Sequence, residues 1–243
     1  MLGVLVNGAA VFIGGIIGLL FKKGISKSIE GSINKAMGIV VVIIGLNGVI
    51  STMFSVNADG ALKSNGELLL VVSFAIGTLV GEVLKLDDRF NNFSEGLEHK
   101  FKIDGFTSGF VTASSLFCIG AMAIIGSINS GLSGDHSTLF TKSIIDGVTA
   151  VILAASLGVG VMLSAIPVML YQGSIALLAG VLSNVLVGEL LVQVTMVGYT
   201  LIICVGLNLM TTLKFKAINM LPALFVPVVF QWILQLQVSI GRE

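Results

Sequence analysis

Four titratable side chains crowd one short stretch of an otherwise oily chain. GLSGDHSTLFTKSIIDG, residues 131–147, carries Asp135, His136, Lys142 and Asp146 within twelve positions. Lys142 and Asp146 are four apart, which puts them on one face of a helix. Asp146 falls roughly two turns into that helix. An ionisable group at such depth is costly and faces a partner or a cavity, so it reads as a cation or proton site with Lys142 as its nearest partner. The competing reading is an ion pair that only fixes helix packing. Asp135 and His136 sit at the tip of the preceding loop, either as an external vestibule that gathers cations or protons or as an ordinary solvated loop.

Uncharged candidates extend the set. Asn47 lies in IIGLNG (43–48) and Asn208 in CVGLNL (204–209), at equivalent motif positions. Gln172 opens QGSIALLAG (172–180), and Asn7 opens NGAAVFIGG (7–15). A carboxamide inside a bilayer needs a partner, either a neighbouring helix or a passing solute. On the second reading Asn47, Asn208 and Gln172 line a transport path with Asp146 and Lys142, and Asn7 is a weaker member.

Enzyme chemistry finds no footing. GxxxxGK[ST] and HExxH are missing, and GLSGD is not the GxSxG of a nucleophile elbow. Asp135 and Asp146 lack the rest of an intramembrane aspartyl protease. Two histidines do not suit a conventional zinc site. Cys118 and Cys204 stand inside apolar runs and read as packing residues. No catalytic residue, metal or cofactor is expected, and a formal net charge of zero gives no reason for a nucleic-acid partner.

The elements that must position these residues are membrane helices. The chain has 243 residues, 55% hydrophobic and 11% charged, with mean hydropathy +1.05. That charge content is under half of the roughly 25% of a soluble domain. Apolar runs near the roughly 18-residue transmembrane length recur throughout. The expected fold is an all-α polytopic transmembrane bundle, a single integral membrane domain over 1–243, whose partner is the lipid bilayer. Homo-oligomerisation is left open. About eight spans are expected, over 2–21, 36–54, 68–86, 106–128, 139–163, 168–190, 192–213 and 217–236, with tight turns near Pro167 and Glu189. The first run has its lysines after its apolar core, unlike a signal peptide. Ten of the thirteen Lys and Arg residues fall in three loops that eight spans put on one side. The positive-inside rule makes that side cytoplasmic and leaves both termini outside. Ile25, Ile29 and Ile33, and Phe90, Phe93, Leu97 and Phe101, mark two amphipathic loop helices that lie on the membrane or cap the bundle. Gly158, Gly160 and Pro167 could bend or break span five. Glu82 reads as a snorkelling or loop-paired carboxylate, and Glu189 as a turn residue.

Two internal repeats are candidates. FIGGIIGLLFK (12–22) and FAIGTLVGEVLK (74–85) share a Gly-xxx-Gly spacing and a final lysine, a parallel repeat of spans one and two with three and four. The Asn7 and Gln172 motifs, followed by those of Asn47 and Asn208, relate spans one and two to six and seven. An odd number of spans separates those hairpins, so that repeat is inverted, as in transporters with a midplane site.

The stretch FTSGFVTASSLFCIGAMAIIGSINSGLSGDHSTLFTKSIIDG (106–147) resembles the signature of the YqgA/YdfK-like family of bacterial inner-membrane proteins of unknown function. LGVGVMLSAIPVMLYQGSI (157–175), VGLNLM (205–210) and LPALFVP (221–227) are similar to its later motifs. The resemblance implies a bacterial plasma-membrane location and a transport role without an assigned substrate. The functional expectation is a transporter or channel for a small solute or ion. The alternative is a non-transporting component, such as an assembly partner, a sensor or a lipid-interacting scaffold.

Overall fold

The computed structural model describes residues 1–22, 27–56, 59–101, 106–118, 121–185, 188–212 and 215–240. The chain is a helical bundle. Its elements are α1 (Leu2–Lys22), α2 (Lys27–Met53), α3 (Glu67–Leu84), α4 (Leu86–Phe101), α5 (Phe106–Cys118), α6 (Ala121–Leu132), α7 (Ser137–Leu157), α8 (Val159–Leu163), α9 (Ala165–Leu177), α10 (Ala179–Val185) and α11 (Gly188–Met210). α12 (Ala217–Met220), a 3-10 turn (Leu221–Phe225) and α13 (Val226–Ile240) follow. A small antiparallel hairpin, β1 (Phe54–Val56) with β2 (Leu62–Ser64), joins α2 to α3.

Among the described residues, six helices are long and apolar enough to cross a membrane, seven if α5 and α6, bent by 61°, form one span. The eighth expected span is not one regular helix. Pro222 and Pro227 withhold backbone donors, and the segment runs as α12, the 3-10 turn and α13. Many large aliphatic side chains face outward, among them Leu79, Ile144 and Leu170. A bundle in lipid can leave such faces bare because acyl chains are as apolar as leucine.

Small residues set the helix pairs. A methyl group at Gly14 would collide with the Gly147 carbonyl, and one at Gly18 with the Val151 carbonyl. α1 and α7 therefore run parallel with their backbones in contact. Gly38 and Gly206 do the same for α2 against α11, which are antiparallel. Gly77 and Gly81 press on Ala223 and Asn219. The two Gly-xxx-Gly motifs thus both serve close approach, but one meets a parallel partner and the other an antiparallel one.

The turn expected near Pro167 lies at Gly158. Along α1, Gly3, Gly14 and Gly18 meet Leu139, Gly147 and Val151 in ascending order, whereas Gly15 and Gly8 meet Met162 and Met169 in descending order. The chain has reversed in between. Gly158 holds φ 84° and ψ −155°, which only glycine tolerates readily. Pro167 sits in the first turn of α9, where its missing N–H has no intrahelical role. The sixth span is therefore Val159–Leu177 rather than 168–190, and the seventh is Gly188–Met210.

Of the two expected loop helices, the first is merged into a longer helix and the second is present as a helix of its own. Ile29 and Ile33 belong to the continuous α2, with Ile29 exposed; Ile25 lies outside the described residues. α4 is a separate helix, split from α3 by Lys85 at φ 50°. It is anchored at its start, where the Phe90 ring stacks on Phe110 at 5.9 Å. The side chains of Phe93, Leu97 and Phe101 lie outside the described residues.

Candidate functional site

Three helices bring polar side chains to one buried point. α7 presents Lys142 and Asp146 on its inner face, with Lys142 Nζ 2.5 Å from Asp146 Oδ2. α1 presents Asn7, whose Nδ2 donates to the same Asp146 oxygen at 3.1 Å and to Gln172 Oε1 of α9 at 3.2 Å. Asn7 and Gln172 are 0% exposed, Asp146 4% and Lys142 7%. Gly8 makes the meeting possible, because a methyl there would strike Met169 and push α9 away.

The bonding is incomplete. Asn7 Oδ1 and Gln172 Nε2 are buried without a protein partner. Each such atom costs about 1–3 kcal/mol of desolvation when nothing meets it. One acceptor and one donor are thus held ready beside an ion pair.

The pair borders open space. A cavity of about 230 Å³ is lined by Lys142 and Asp146 with Leu116 and Phe117 of α5 and Tyr199 and Ile202 of α11. Farther along the same α5–α11 seam lies a second cavity of about 430 Å³, lined by Asp87, Thr107, Thr112, Val205 and Asn208 among others. Leu116 follows Thr112 by four positions and Val205 follows Ile202 by three, about one helical turn in each helix. Phe117 and Ile202, each 1% exposed, belong to the wall of the first cavity.

The other sequence candidates fall elsewhere. Asn47 lies on the outward face of α2, away from the cluster. Asn208 is a clamp: its Nδ2 donates to the Phe215 carbonyl and its Oδ1 accepts from the Phe215 amide, both at 2.8 Å. It closes the connection from α11 to α12 and touches only the second cavity. The two asparagines therefore share no chamber. Asp135 is exposed and accepts from the Ser137 amide at 2.9 Å, capping α7. Hydrogen bonds from Ser137 hold its carboxyl below the ordinary aspartate value. His136 Nδ1 pairs with Ser130 Oγ at 2.9 Å, and Ser130 Oγ accepts from the Met1 amine at 3.3 Å. This links the starts of α1 and α7 to the end of α6 and does not reach the buried cluster.

At the opposite end of the bundle, the Asp87 amide donates to Asn219 Oδ1 at 2.7 Å. Burial raises the Asp87 carboxyl above its ordinary value, against a hydrogen bond from Asn91 and the charge of Lys216. Lys216 also pairs with Glu82 at 3.4 Å, both about half exposed, a contact worth little in stability. Glu189 accepts from Gln193 at the start of α11. Among the described residues no group of three or more His, Cys, Asp or Glu could hold a metal ion. Phe117, Tyr199 and Ile202 line the site without any signal in the sequence, because an apolar or aromatic residue on an apolar helix carries none.

These features define a polytopic helical membrane protein with a buried charged cluster. The chain matches over residues 2–232 the family described as "Protein of unknown function (DUF554)", and it belongs to that family. It is 35% identical over 227 residues to the "Uncharacterized membrane protein YdfK" of Bacillus subtilis (strain 168), covering 93% of this chain and 94% of the relative. It is 28% identical over 231 residues to the "Uncharacterized protein YqgA" of Escherichia coli (strain K12), covering 92% and 93% respectively. No solved structure matches it significantly.

Proposed function

We propose that this is a transport protein of the bacterial inner membrane, not an enzyme, which moves a small solute or ion through the bundle with Asp146 as its cation or proton site. The observation that carries the reading is the Lys142–Asp146 pair, buried among α1, α7 and α9 yet bordering a cavity. Structural packing alone would be served as well by apolar side chains, which often replace buried pairs without loss. The second cavity, about one turn farther along the α5–α11 seam, supplies the rest of a path.

The inverted repeat fits this reading. Asn7 and Gln172 occupy equivalent motif positions and hydrogen-bond each other. Gly8 packs on Met169 while its equivalent, Gly173, packs on Val4, the equivalent of Met169. Gly45 meets Tyr199 and Ile203, and its equivalent Gly206 meets Gly38 and Val42 in the reciprocal places. Such reciprocity supports a pseudo-two-fold axis running through the Asn7–Gln172 bond. The basic loops support an outside N-terminus, with the Asp135–His136 end facing out and the Asp87 cavity facing the cytoplasm. For a non-transporting component the amphipathic loops were the main argument. One is now part of α2, and the other is anchored on Phe110.

The test is flux. Protein reconstituted in liposomes is loaded with labelled ions and small solutes, and Asp146→Asn is compared with wild type. The expected outcome is a flux that the variant alters. A flux that Asp146→Asn leaves at the wild-type rate removes Asp146 from the path, and protein that moves none of them ends the transport reading.

A further inference from the structure

A third cavity stands apart from the charged cluster. It holds about 440 Å³ and shares no lining residue with either cavity described above. Its deep wall includes Ile124 of α6 and Ile175 of α9, both buried. Its outer wall includes Leu221, Leu224 and Phe225 of the 3-10 turn, and Phe225 is largely exposed on the bundle surface. The irregular segment there has a cause. Ala223 packs against Gly77 of α3, and Pro222 and Pro227 deny the chain the hydrogen bonds of a full helix. The cavity is thus bounded on the inside by core residues and on the outside by a segment that meets the lipid.

The lining sorts the occupants. Among the described residues no Asp, Glu, Lys, Arg or His contributes to it, so a charged solute would arrive without a partner. A water needs about two to four polar partners, and a mostly aliphatic wall does not supply them. Ser114 of α5 and Thr195 of α11 do line the cavity, and both hydroxyl oxygens are buried without a protein partner. Other helical hydroxyls in this chain spend their hydrogen one turn back: Thr200 donates to the Met196 carbonyl at 3.0 Å, and Ser127 to the Ala123 carbonyl at 2.6 Å. Thr195 is 4% exposed, so bulk water does not take the place of such a bond.

We propose that this cavity binds an uncharged lipophilic molecule that carries a hydrogen-bonding oxygen and enters from the bilayer. The site goes beyond the transport reading and does not depend on it. Its volume falls within the roughly 300–1,000 Å³ of small-molecule sites, and an apolar wall with a few polar groups is their usual make-up. The ligand oxygen accepts from the Thr195 or Ser114 hydroxyl, whose hydrogen turns about the C–O bond while the heavy atoms stay in place. The apolar body packs on Ile124, Ile175 and Leu224. A plain lipid tail would fill the same volume and leave both hydroxyls unmet, which is why the occupant is assigned an oxygen.

The experiment uses the full chain in lipid nanodiscs. The probe is an alkan-1-ol with a diazirine in its chain, and the adducts formed on illumination are mapped by mass spectrometry. Saturable labelling is expected at the cavity residues Tyr171, Ile175 and Leu224, against labelling in simple proportion to the probe at the outward-facing Leu79 and Leu170. Unlabelled decan-1-ol should compete, and n-decane should need a concentration about fivefold higher, the worth of one net hydrogen bond. Thr195→Val with Ser114→Ala should bring decan-1-ol to the level of decane and leave decane unchanged, which shows the cavity intact. The wild-type competition needs no variant and decides by itself where the double variant does not fold. Cavity labelling that never saturates overturns the site. Decane that competes as well as decan-1-ol overturns the oxygen and leaves only a lipid tail, and a folded double variant that keeps the wild-type preference overturns the role of the two hydroxyls.

Discussion

Replacing Lys142 by Met keeps the stem and removes the ammonium, which leaves Asp146 with Asn7 as its one remaining side-chain donor. Removing one partner of a buried pair costs about 3–5 kcal/mol, because the other charge stays buried and uncompensated. The reverse substitution is cheaper, and the geometry says why. Counting from Ser137 at 1.5 Å per residue, Lys142 lies about 8 Å and Asp146 about 14 Å along α7. Freed by Asp146→Asn, the long lysine can turn toward the helix end and carry its charge to the interface. Asp146 is deeper and short, so it has no such exit. The prediction is an asymmetry: Lys142→Met lowers the melting temperature on the order of 10 °C, and Asp146→Asn lowers it by clearly less. Lys142→Met combined with Asp146→Leu recovers most of the loss, since no charge is stranded. Thermal unfolding read by a thiol-reactive dye suits the chain, whose free Cys118 and Cys204 are both partly buried. Equal losses for the two single variants, or losses that add in the double, would falsify the claim that the pair is buried and coupled as described.

Gly18→Leu should drive α1 off the Val151 carbonyl and reduce folded yield, while Gly31→Ala, which meets nothing within 4 Å, should stabilise α2 by about 0.5–1 kcal/mol; a melting comparison separates them. Asn208→Ala should cost about 0.5–1.5 kcal/mol by opening the exposed Phe215 clamp and speed hydrogen exchange at the Phe215 amide, whereas Asn47→Ala on the outward face should leave stability within about 0.5 kcal/mol. The Asp135 carboxyl is depressed in the folded chain, so its capping contribution is present above the ordinary aspartate value and is lost as the pH falls through the lower folded value. Amide exchange at the start of α7 should accordingly quicken on acidification, and Asp135→Ala should show the fast exchange already at neutral pH.

The charged half of the site was legible in the sequence, and the apolar half was not. A lysine and an aspartate four apart inside an oily run admit few arrangements, and the structure pairs them. Gln172 and Asn7 could be found from the motif they share. Asn47 and Asn208 share a motif just as well, but a motif does not say which face of a helix is buried when lipid and protein interior are equally apolar. Asn47 fell on the outer face, and Asn208 near a helix end where backbone groups needed a clamp. The turn was misplaced for a related reason. Proline announces itself as a breaker, yet Pro167 occupies a first turn that tolerates it, while Gly158, marked in the sequence as a possible bend or break within span five, is where that helix ends and the chain reverses. The count of eight exceeds the six helices, seven if α5 and α6 are one span, that are long and apolar enough among the described residues, because a 61° bend divides one segment and Pro222 and Pro227 interrupt the helical hydrogen bonds of the last.

The site divides its labour between symmetric and asymmetric parts. Asn7 and Gln172 come from α1 and α9, the paired halves of the proposed inverted repeat. They meet across its axis as two neutral amides. A two-fold arrangement of that kind treats both sides of the membrane alike, which suits a path that must open in either direction. By itself it favours no ion and couples to nothing. Lys142 and Asp146 come from α7, which stands outside the repeated hairpins and packs parallel to α1 along Gly14 and Gly18. α7 therefore adds charge to one side of the axis only. The glycine contacts fix its register, and a shift of one residue would turn Asp146 by about 100° off the Asn7 amide. The close small-residue contact of α1 with α7 accordingly lies beside the cluster. Asn7 and Gln172 supply neutral amides, and the α1–α7 contact holds the one carboxylate beside them.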